Sequence, residues 1–452
     1  MRGLSFEDTL IAGLAEDGGL LIPDALPQVQ AQLPQWRKLS YQELSLAIVR
    51  SFIGEAIPEA DLRAQIEQAY RNFTHPDITP VRTLGRLHLL ELFHGPTFAF
   101  KDVALQLLGQ FFEHVLKKRQ QPLRILGATS GDTGSAAIHG MRGHKGISVF
   151  MLHPKGRVSP VQERQMTTVL DANIHNIALE GSFDDAQRIV KELFGDLEFK
   201  TRHHLGAVNS INWARILAQI VYYFYAWGRV SRNSGEAINF VVPSGNFGNV
   251  LAGYYAQQMG LPIRRLVVAT NENDILHRFF SKGEYHTARV HQTLSPSMDI
   301  QISSNFERYL FDLGGRSPGQ LKHWMQDFQE TGRLTIEGER LKTAQAAFGS
   351  ARVDEAGTLR VIREAYEEHG YLLDPHTAVG VGAAKQVDLE GPVVCLACAH
   401  PAKFGSAVQK AAGTTPELPP PLAELENLET RCTVLPAQAG AVREYLTQII
   451  NS

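Results

Sequence analysis

The chain has 452 residues, 44% hydrophobic and 20% charged, the balance of a soluble globular protein with two or three domains rather than one small core. Lys and Arg number 44 against 47 Asp and Glu, for a formal net charge of −3, so nothing calls for a polyanionic partner such as nucleic acid. Three cysteines, Cys395, Cys398 and Cys432, cannot form a disulfide framework at this length, and none has metal-ligand spacing with histidine. No apolar run nears the roughly twenty residues that span a bilayer, and Met1 to Asp8 has no apolar signal core. A cytoplasmic protein is expected, with no metal and no membrane contact.

In chain order, the first eighty or so residues read as helices separated by Pro-rich turns at Pro23, Pro27 and Pro34. Pro58 precedes an amphipathic stretch from Asp61 to Phe73. From about residue 85 strands alternate with helices. Leu105, Leu108, Phe112 and Val115 share one helical face, and Lys117-Lys118-Arg119 close that helix. A strand at Leu123 to Gly127, a glycine-rich turn and a helix from Ser135 follow. Then come a strand at Ser148 to Leu152, a helix around Pro160 to Leu170, a strand at Ile174 to Leu179 and a helix from Asp184 or Asp185. The same grammar resumes with a strand at Ala237 to Val242, a loop at Pro243 to Asn249 and a helix from Val250 to Met259. Leu266 to Ala269 is a further strand, and Pro392 to Ala397 the last, running into a helix from Pro401. Continuous apolar strands separated by helices imply a mostly parallel sheet covered on both faces, an α/β fold.

Three strand-to-helix turns carry candidate chemistry. Pro243-Ser244-Gly245-Asn246-Phe247-Gly248-Asn249 offers free amides at a helix start, and its glycines let an anion approach the main chain; the plain alternative is a tight turn. Thr129-Ser130-Gly131-Asp132-Thr133-Gly134 suits a carboxylate, or is simply a helix cap. Glu91 to Asp102 sets Lys101 among aromatics at a helix mouth. Desolvation there favours the neutral, nucleophilic amine of a Schiff-base lysine; the alternative is a lysine reaching out to water. Together they provide a phosphate cradle, a carboxylate cradle and a desolvated amine. An aldehyde cofactor with its own phosphate and an amino-acid substrate needs all three.

At these turns the chain resembles fold-type II pyridoxal-phosphate enzymes, and among them the threonine synthases. Further motifs extend the resemblance over nearly the whole length. They are Phe6-Glu7-Asp8 through Gly13-Leu14-Ala15-Glu16-Asp17-Gly18-Gly19-Leu20, Leu92-Phe93-His94-Gly95-Pro96-Thr97, Asn209-Ser210-Ile211-Asn212-Trp213-Ala214-Arg215, Ser295-Pro296-Ser297-Met298-Asp299 and Ala399-His400-Pro401-Ala402-Lys403-Phe404. The resemblance implies two doubly wound, mostly parallel-sheet domains with an N-terminal helical accessory region. Residues 1–84 would be that region, 85–115 with 236–452 the large cofactor domain, and 116–235 the smaller substrate-loop domain. Pyridoxal 5′-phosphate would be the cofactor and a small phospho-amino acid the substrate, in a monomer or small homo-oligomer.

Residue by residue, the resemblance makes Lys101 the cofactor-bearing amine and proton shuttle, with Phe100 beside it. Gly245, Asn246, Phe247, Gly248 and Asn249 would hold the cofactor phosphate. Ser130, Gly131, Thr133 and Gly134 would take the substrate carboxylate, with Asp132 near the cofactor's phenolic oxygen. Arg215 is favoured for the substrate's distal phosphate because its planar fork matches that group, with Asn212 and Lys155 as weaker candidates. Cys398 stands where threonine synthases carry Thr or Ser facing the cofactor's ring nitrogen; its thiol is either a weaker partner for that nitrogen or a small buried apolar residue. At the N-terminus only Arg2-Gly3 remains of a longer family stretch. The implied reaction is conversion of O-phospho-L-homoserine and water to L-threonine and phosphate by β,γ-replacement. The runner-up is a phospho-lyase making a 2-oxo acid, ammonia and phosphate from O-phosphothreonine or O-phosphoserine. A non-catalytic paralogue is a third reading, against which Lys101 and both cradles argue.

Overall fold

The structure, a computed structural model, describes residues 3–15 and 17–451, so Met1, Arg2, Glu16 and Ser452 lie outside the described residues, among them Arg2 of the Arg2-Gly3 pair and Glu16 of the Phe6 to Leu20 motif. Two sheets organise it. The strands are β1 (Val81–Leu84), β2 (Leu87–Glu91), β3 (Leu123–Ala128), β4 (Ile147–Pro154), β5 (Ile174–Glu180), β6 (Leu205–Gly206), β7 (Ile238–Pro243), β8 (Ile263–Thr270), β9 (Glu284–His286), β10 (Arg333–Thr335), β11 (Phe348–Arg352), β12 (Val393–Ala397) and β13 (Thr433–Pro436). The six-stranded sheet runs β1-β2-β12-β7-β8-β11, parallel except for the β1–β2 edge hairpin. The five-stranded sheet runs β13-β5-β4-β3-β6 and is parallel throughout. β9 and β10 form a separate antiparallel pair.

Each strand read from the sequence is present within a few residues. Strands β7 and β12 are almost wholly buried, as expected of a sheet covered on both faces. Three helix starts differ from the reading. The helix after β3 begins at Asp132 rather than Ser135, because the Thr129 hydroxyl accepts from the Gly131 and Gly134 amides and draws the loop into the first turn. The helix after β7 begins at Gly248. Pro401–Phe404 is a 3-10 turn before the α-helix Gly405–Ala412, the His400 side chain capping it at the Ala402 amide.

Two parts of the expected division change. The N-terminal helices, among them Tyr41–Ile53 with its Ser40–Glu43 capping box and Glu59–Tyr70, share one apolar core with the helices Lys101–Arg119 and Trp213–Val230. They therefore are not a separate body. The C-terminal tail adds β13 and the helix Ala439–Asn451 to the small sheet, not the large one, with Val442 and Leu446 buried in the same apolar cluster as β4 and β5 side chains.

Helix Trp213–Val230 is buried on every side from Trp213 to Trp227, the expected place of a helix that is apolar all round. Helix Lys101–Arg119 meets helix Asp132–Met141 at Gly109 and Gly140. A Cβ on Gly109 would lie 2.0 Å from the Gly140 carbonyl oxygen, so only glycine permits this approach. That contact fixes the Lys101 helix against the helix carrying the carboxylate loop. No helix among the described residues is long and apolar enough to cross a membrane.

Candidate active site

Lys101 opens its helix directly beside the end of β12. The Phe100 amide donates to the Cys398 carbonyl at 2.8 Å, the His400 amide to the Phe98 carbonyl at 3.1 Å, and Ala99 bridges Ala399. Phe98 holds a left-handed backbone, φ 57°, which turns the chain into the helix. Asp102 closes the same loop by accepting from the Thr97 amide at 2.8 Å and its hydroxyl at 2.7 Å; burial raises its carboxyl to about 6 against those hydrogen bonds. Lys101 Nζ lies 5.8 Å from the Phe100 ring centroid and has no hydrogen-bond or ion-pair partner among the described residues. Burial, with the cations Arg215 and Lys403 and against the pull of Asp132, brings its amine down to about 8.

The neighbouring groups locate the amine. Asp132 stands at the start of its helix in the carboxylate loop, Cys398 one residue past β12, and Arg215 in the first turn of helix Trp213–Val230. The Asp132 carboxylate receives Lys403 Nζ at 2.7 Å and Gln162 Nε2 at 2.7 Å on one oxygen, and the Ser297 hydroxyl at 3.5 Å on the other. Burial alone would push this carboxyl up, but Lys403 and Lys101 hold it well below the usual range. At the loop's other end Gly131 and Gly134 bind the Thr129 hydroxyl, while Ser130 is exposed and Thr133 half-buried.

The phosphate loop leaves β7 with its Ser244 amide on the Ala269 carbonyl at 3.0 Å. Carbonyl Gly245 accepts from Ser303, carbonyl Asn246 from the Asn305 amide at 3.1 Å, and the Asn246 side chain from Ser304 at 3.1 Å. With its carbonyls turned outward to these donors, the loop is a fixed cradle. Gly245 is needed for a second reason: a Cβ there would lie 3.1 Å from the Ser297 carbonyl oxygen and 3.1 Å from Met298 Cα. Phe247, φ 60°, sends its side chain into an aromatic cluster with Phe280, Phe306, Tyr309 and Phe348, leaving only its main chain for an anion. Asn249 accepts from Tyr222 and Tyr223, the latter at 3.0 Å, and its buried Nδ2 has no partner.

Ser297 joins the two cradles, touching Gly245 with its carbonyl and Asp132 with its hydroxyl; its amide donates to His376 Nε2 at 3.3 Å. Arg215 is next to Ile216, whose Cδ1 is 3.5 Å from the Cβ position of Gly248. Arg215 is buried with Nε and Nη1 unpartnered, and burial lowers it to about 10. Cys398 is buried too; burial and Asp374 raise its thiol well above the ordinary value, so it stays a neutral SH. Its amide donates to Thr377 Oγ1 at 3.0 Å.

Two expected substrate ligands are not brought in. Asn212 caps helix Trp213–Val230, accepting from the Ala214 amide at 3.0 Å and donating to the Leu10 carbonyl at 3.0 Å, so both ends of its amide are engaged. Lys155 is exposed beyond β4 and pairs with Glu180 at 3.5 Å. Four residues given no task in the sequence reading do belong: Lys403, Ser297, Gln162 and His376. The first two stood inside the quoted motifs Ala399–Phe404 and Ser295–Asp299; nothing in the sequence singles out the other two.

Comparison with known proteins agrees along the whole length. Family models match for threonine synthase N terminus over residues 1–70, pyridoxal-phosphate dependent enzyme over 74–321, and threonine synthase, C-terminal, over 377–446. Threonine synthase of Pseudomonas aeruginosa is 50% identical over 98% of this chain and 96% of that protein. The PLP-bound threonine synthase structure from Brucella melitensis superposes with a TM-score of 0.97 at 46% identity, covering 99% of this chain and 97% of the other. The yeast threonine synthase structure gives 0.94 at 45%, covering 99% and 96%. The chain belongs to the threonine synthase family of pyridoxal-phosphate-dependent enzymes.

Proposed function

We infer that the chain converts O-phospho-L-homoserine and water to L-threonine and inorganic phosphate, with pyridoxal phosphate as cofactor. The reading of the residues rests on one observation above all: a buried, unpaired amine at Lys101 lies within electrostatic reach of Asp132 in the carboxylate loop and of Arg215. The cofactor fits what is present. Lys101 would hold its aldehyde carbon, and the fixed 245–249 loop, with the unpartnered Asn249 amide, would hold its phosphate. Asp132 and Cys398 would face its ring, Cys398 without donating a full proton because the thiol is a weak donor. When bound, pyridoxal phosphate supplies an electron sink for the negative charge that develops on the substrate.

The chain's own residues do the rest. Ser130 and Thr133 offer their amides and hydroxyls to the substrate carboxylate at a helix start, where the dipole favours an anion, while the Gly131 and Gly134 amides, held by the Thr129 hydroxyl, shape the loop. Arg215 takes the distal phosphate with the two nitrogens that have no protein partner, and its charge supports departure of that group. Lys101, as a free amine, removes the proton at Cα and returns one there at the end; in between, a proton leaves Cβ, phosphate leaves Cγ, water gives its hydroxyl to Cβ and Cγ takes up a proton, and a group poised near neutral pH is suited to move protons in both directions. The small-sheet unit, carrying the carboxylate loop, and the large-sheet unit, carrying the phosphate loop, would enclose the substrate between them.

The test is a product assay on the purified protein with cofactor. Threonine and phosphate should form in equal amounts from O-phosphohomoserine, and Lys101→Ala should form neither. A 2-oxo acid from O-phosphothreonine, with no threonine from O-phosphohomoserine, would replace this reading by the phospho-lyase.

A further inference from the structure

Two lysines flank a single buried carboxylate in this site. Lys403 follows β12 in the 3-10 turn Pro401–Phe404, with its amide on the His400 carbonyl at 3.1 Å. Its side chain is 0% exposed and that of Asp132 5%, and the two are 2.7 Å apart. Lys403 also donates to the Thr97 carbonyl at 2.7 Å, four residues before Lys101. An ammonium buried this completely persists only with a carboxylate and further acceptors around it. Lys101 meets the same carboxylate through its charge but has no ion pair.

We propose that Lys403 is a positioning residue for the reaction: its ammonium occupies the Asp132 carboxylate, so that Asp132 cannot capture Lys101, and the Lys101 amine is left free to react. The proposal rests on Lys101 being the reactive amine. In a water-poor site a carboxylate without its own counter-ion attracts any nearby ammonium strongly, and a lysine drawn into such a pair is a poor nucleophile. Lys403 removes that competitor by holding one carboxylate oxygen, which Gln162 also binds, while Ser297 approaches the other.

The charged and titratable groups facing these residues are consistent with this. Lys101 is faced by Asp132, Arg215, Lys403 and Cys398. Asp132 is faced by Lys403, Lys101 and His376. Asp102, also within reach of the Lys403 charge, is taken up by Thr97. Among the carboxylates, Asp132 is thus the one whose charge bears most on Lys101, and Lys403 is its direct partner.

The experiment titrates Lys101 itself in the full chain freed of cofactor. Competitive labelling with acetic anhydride across a pH series, read by mass spectrometry of the Lys101 peptide, gives the midpoint without any assay of activity. Lys403→Met should raise the midpoint by about one pH unit, a roughly tenfold smaller neutral fraction near pH 7. Lys403→Arg should keep the wild-type midpoint, and Asp132→Asn/Lys403→Met should return towards it, because both charges are then gone. A purely structural role would lower the melting temperature without moving the midpoint. A midpoint in folded Lys403→Met that is unchanged or lower overturns the proposal. Should Lys403→Met not fold, Lys403→Gln, which keeps a hydrogen-bond donor towards Asp132 without the charge, takes its place with the same outcomes: a raised midpoint supports the proposal, and an unchanged or lower one overturns it. Failure of the Lys101 reading is separate, since it would appear as cofactor trapped on another residue whatever the midpoint.

Discussion

Arg308 and Arg215 are both buried, and burial brings both guanidinium groups down to about 10, yet only one is engaged by the protein. Arg308 donates through Nε and Nη2 to the Leu21 carbonyl at 3.0 and 2.8 Å, to the Ile211 carbonyl at 2.6 Å and to the Asn305 side chain. It ties the N-terminal segment to the 209–215 turn and to the backing of the phosphate loop. Arg215, a few residues along that turn, keeps Nε and Nη1 without a partner. A buried cation whose donors are all used serves the fold; one whose donors are unused costs the fold stability and is retained for something that binds. Lys403 and Lys101 repeat the contrast around Asp132.

The comparison is open to direct attack. Lys101→Ala carries the largest expected effect, a loss of turnover of about 10³-fold or more, since nucleophile and proton carrier go together; threonine formation measures it. Next, Arg215→Ala should lower kcat/KM for O-phosphohomoserine by on the order of a hundredfold while leaving thermal stability equal or slightly improved. Arg308→Ala should do the reverse, destabilising the fold by about 3 kcal/mol in chemical denaturation, because several carbonyls lose their donor. If the two variants behave alike, the distinction between an engaged and an unengaged cation fails.

A pH series sharpens the lysine pair. Capture of cofactor by the cofactor-free chain should accelerate as pH rises and level off above about 8, where Lys101 becomes neutral. Its folded value lies below the ordinary 10.5, so between these two the unfolded chain binds the proton and the folded chain does not. This group's contribution to stability should therefore rise with pH across that window, measurable by denaturation of the cofactor-free form with Lys101→Met as control. The smallest effect belongs to Cys398→Ser, expected to change turnover by less than about threefold, since both side chains are small, neutral hydrogen-bonding groups there.

Much of this site is legible because its parts follow strands β2, β3 and β7: apolar runs ending in glycine-rich turns mark Asp132 after β3 and the 245–249 loop after β7, and Lys101 stands out as a lysine among aromatics at a helix mouth. The contribution of residues 270–391 was not legible: β11 and the β9–β10 pair are short, and the Asp374–His376–Ser297 chain of contacts depends on elements distant in sequence. Asn212 misled because an amide beside an arginine looks the same in sequence whether it caps a helix or binds a ligand. Lys403 stood in a recognised motif, but only packing reveals that its side chain turns inward to Asp132.

Borohydride reduction of the cofactor-loaded protein, followed by peptide mapping, tests the central claim most directly, because two buried lysines compete for the role. The expected result is cofactor mass on the peptide containing Lys101 and none on that containing Lys403. Label on Lys403, or on neither peptide, would contradict the assignment of the amine at the start of helix Lys101–Arg119 as the reactive group.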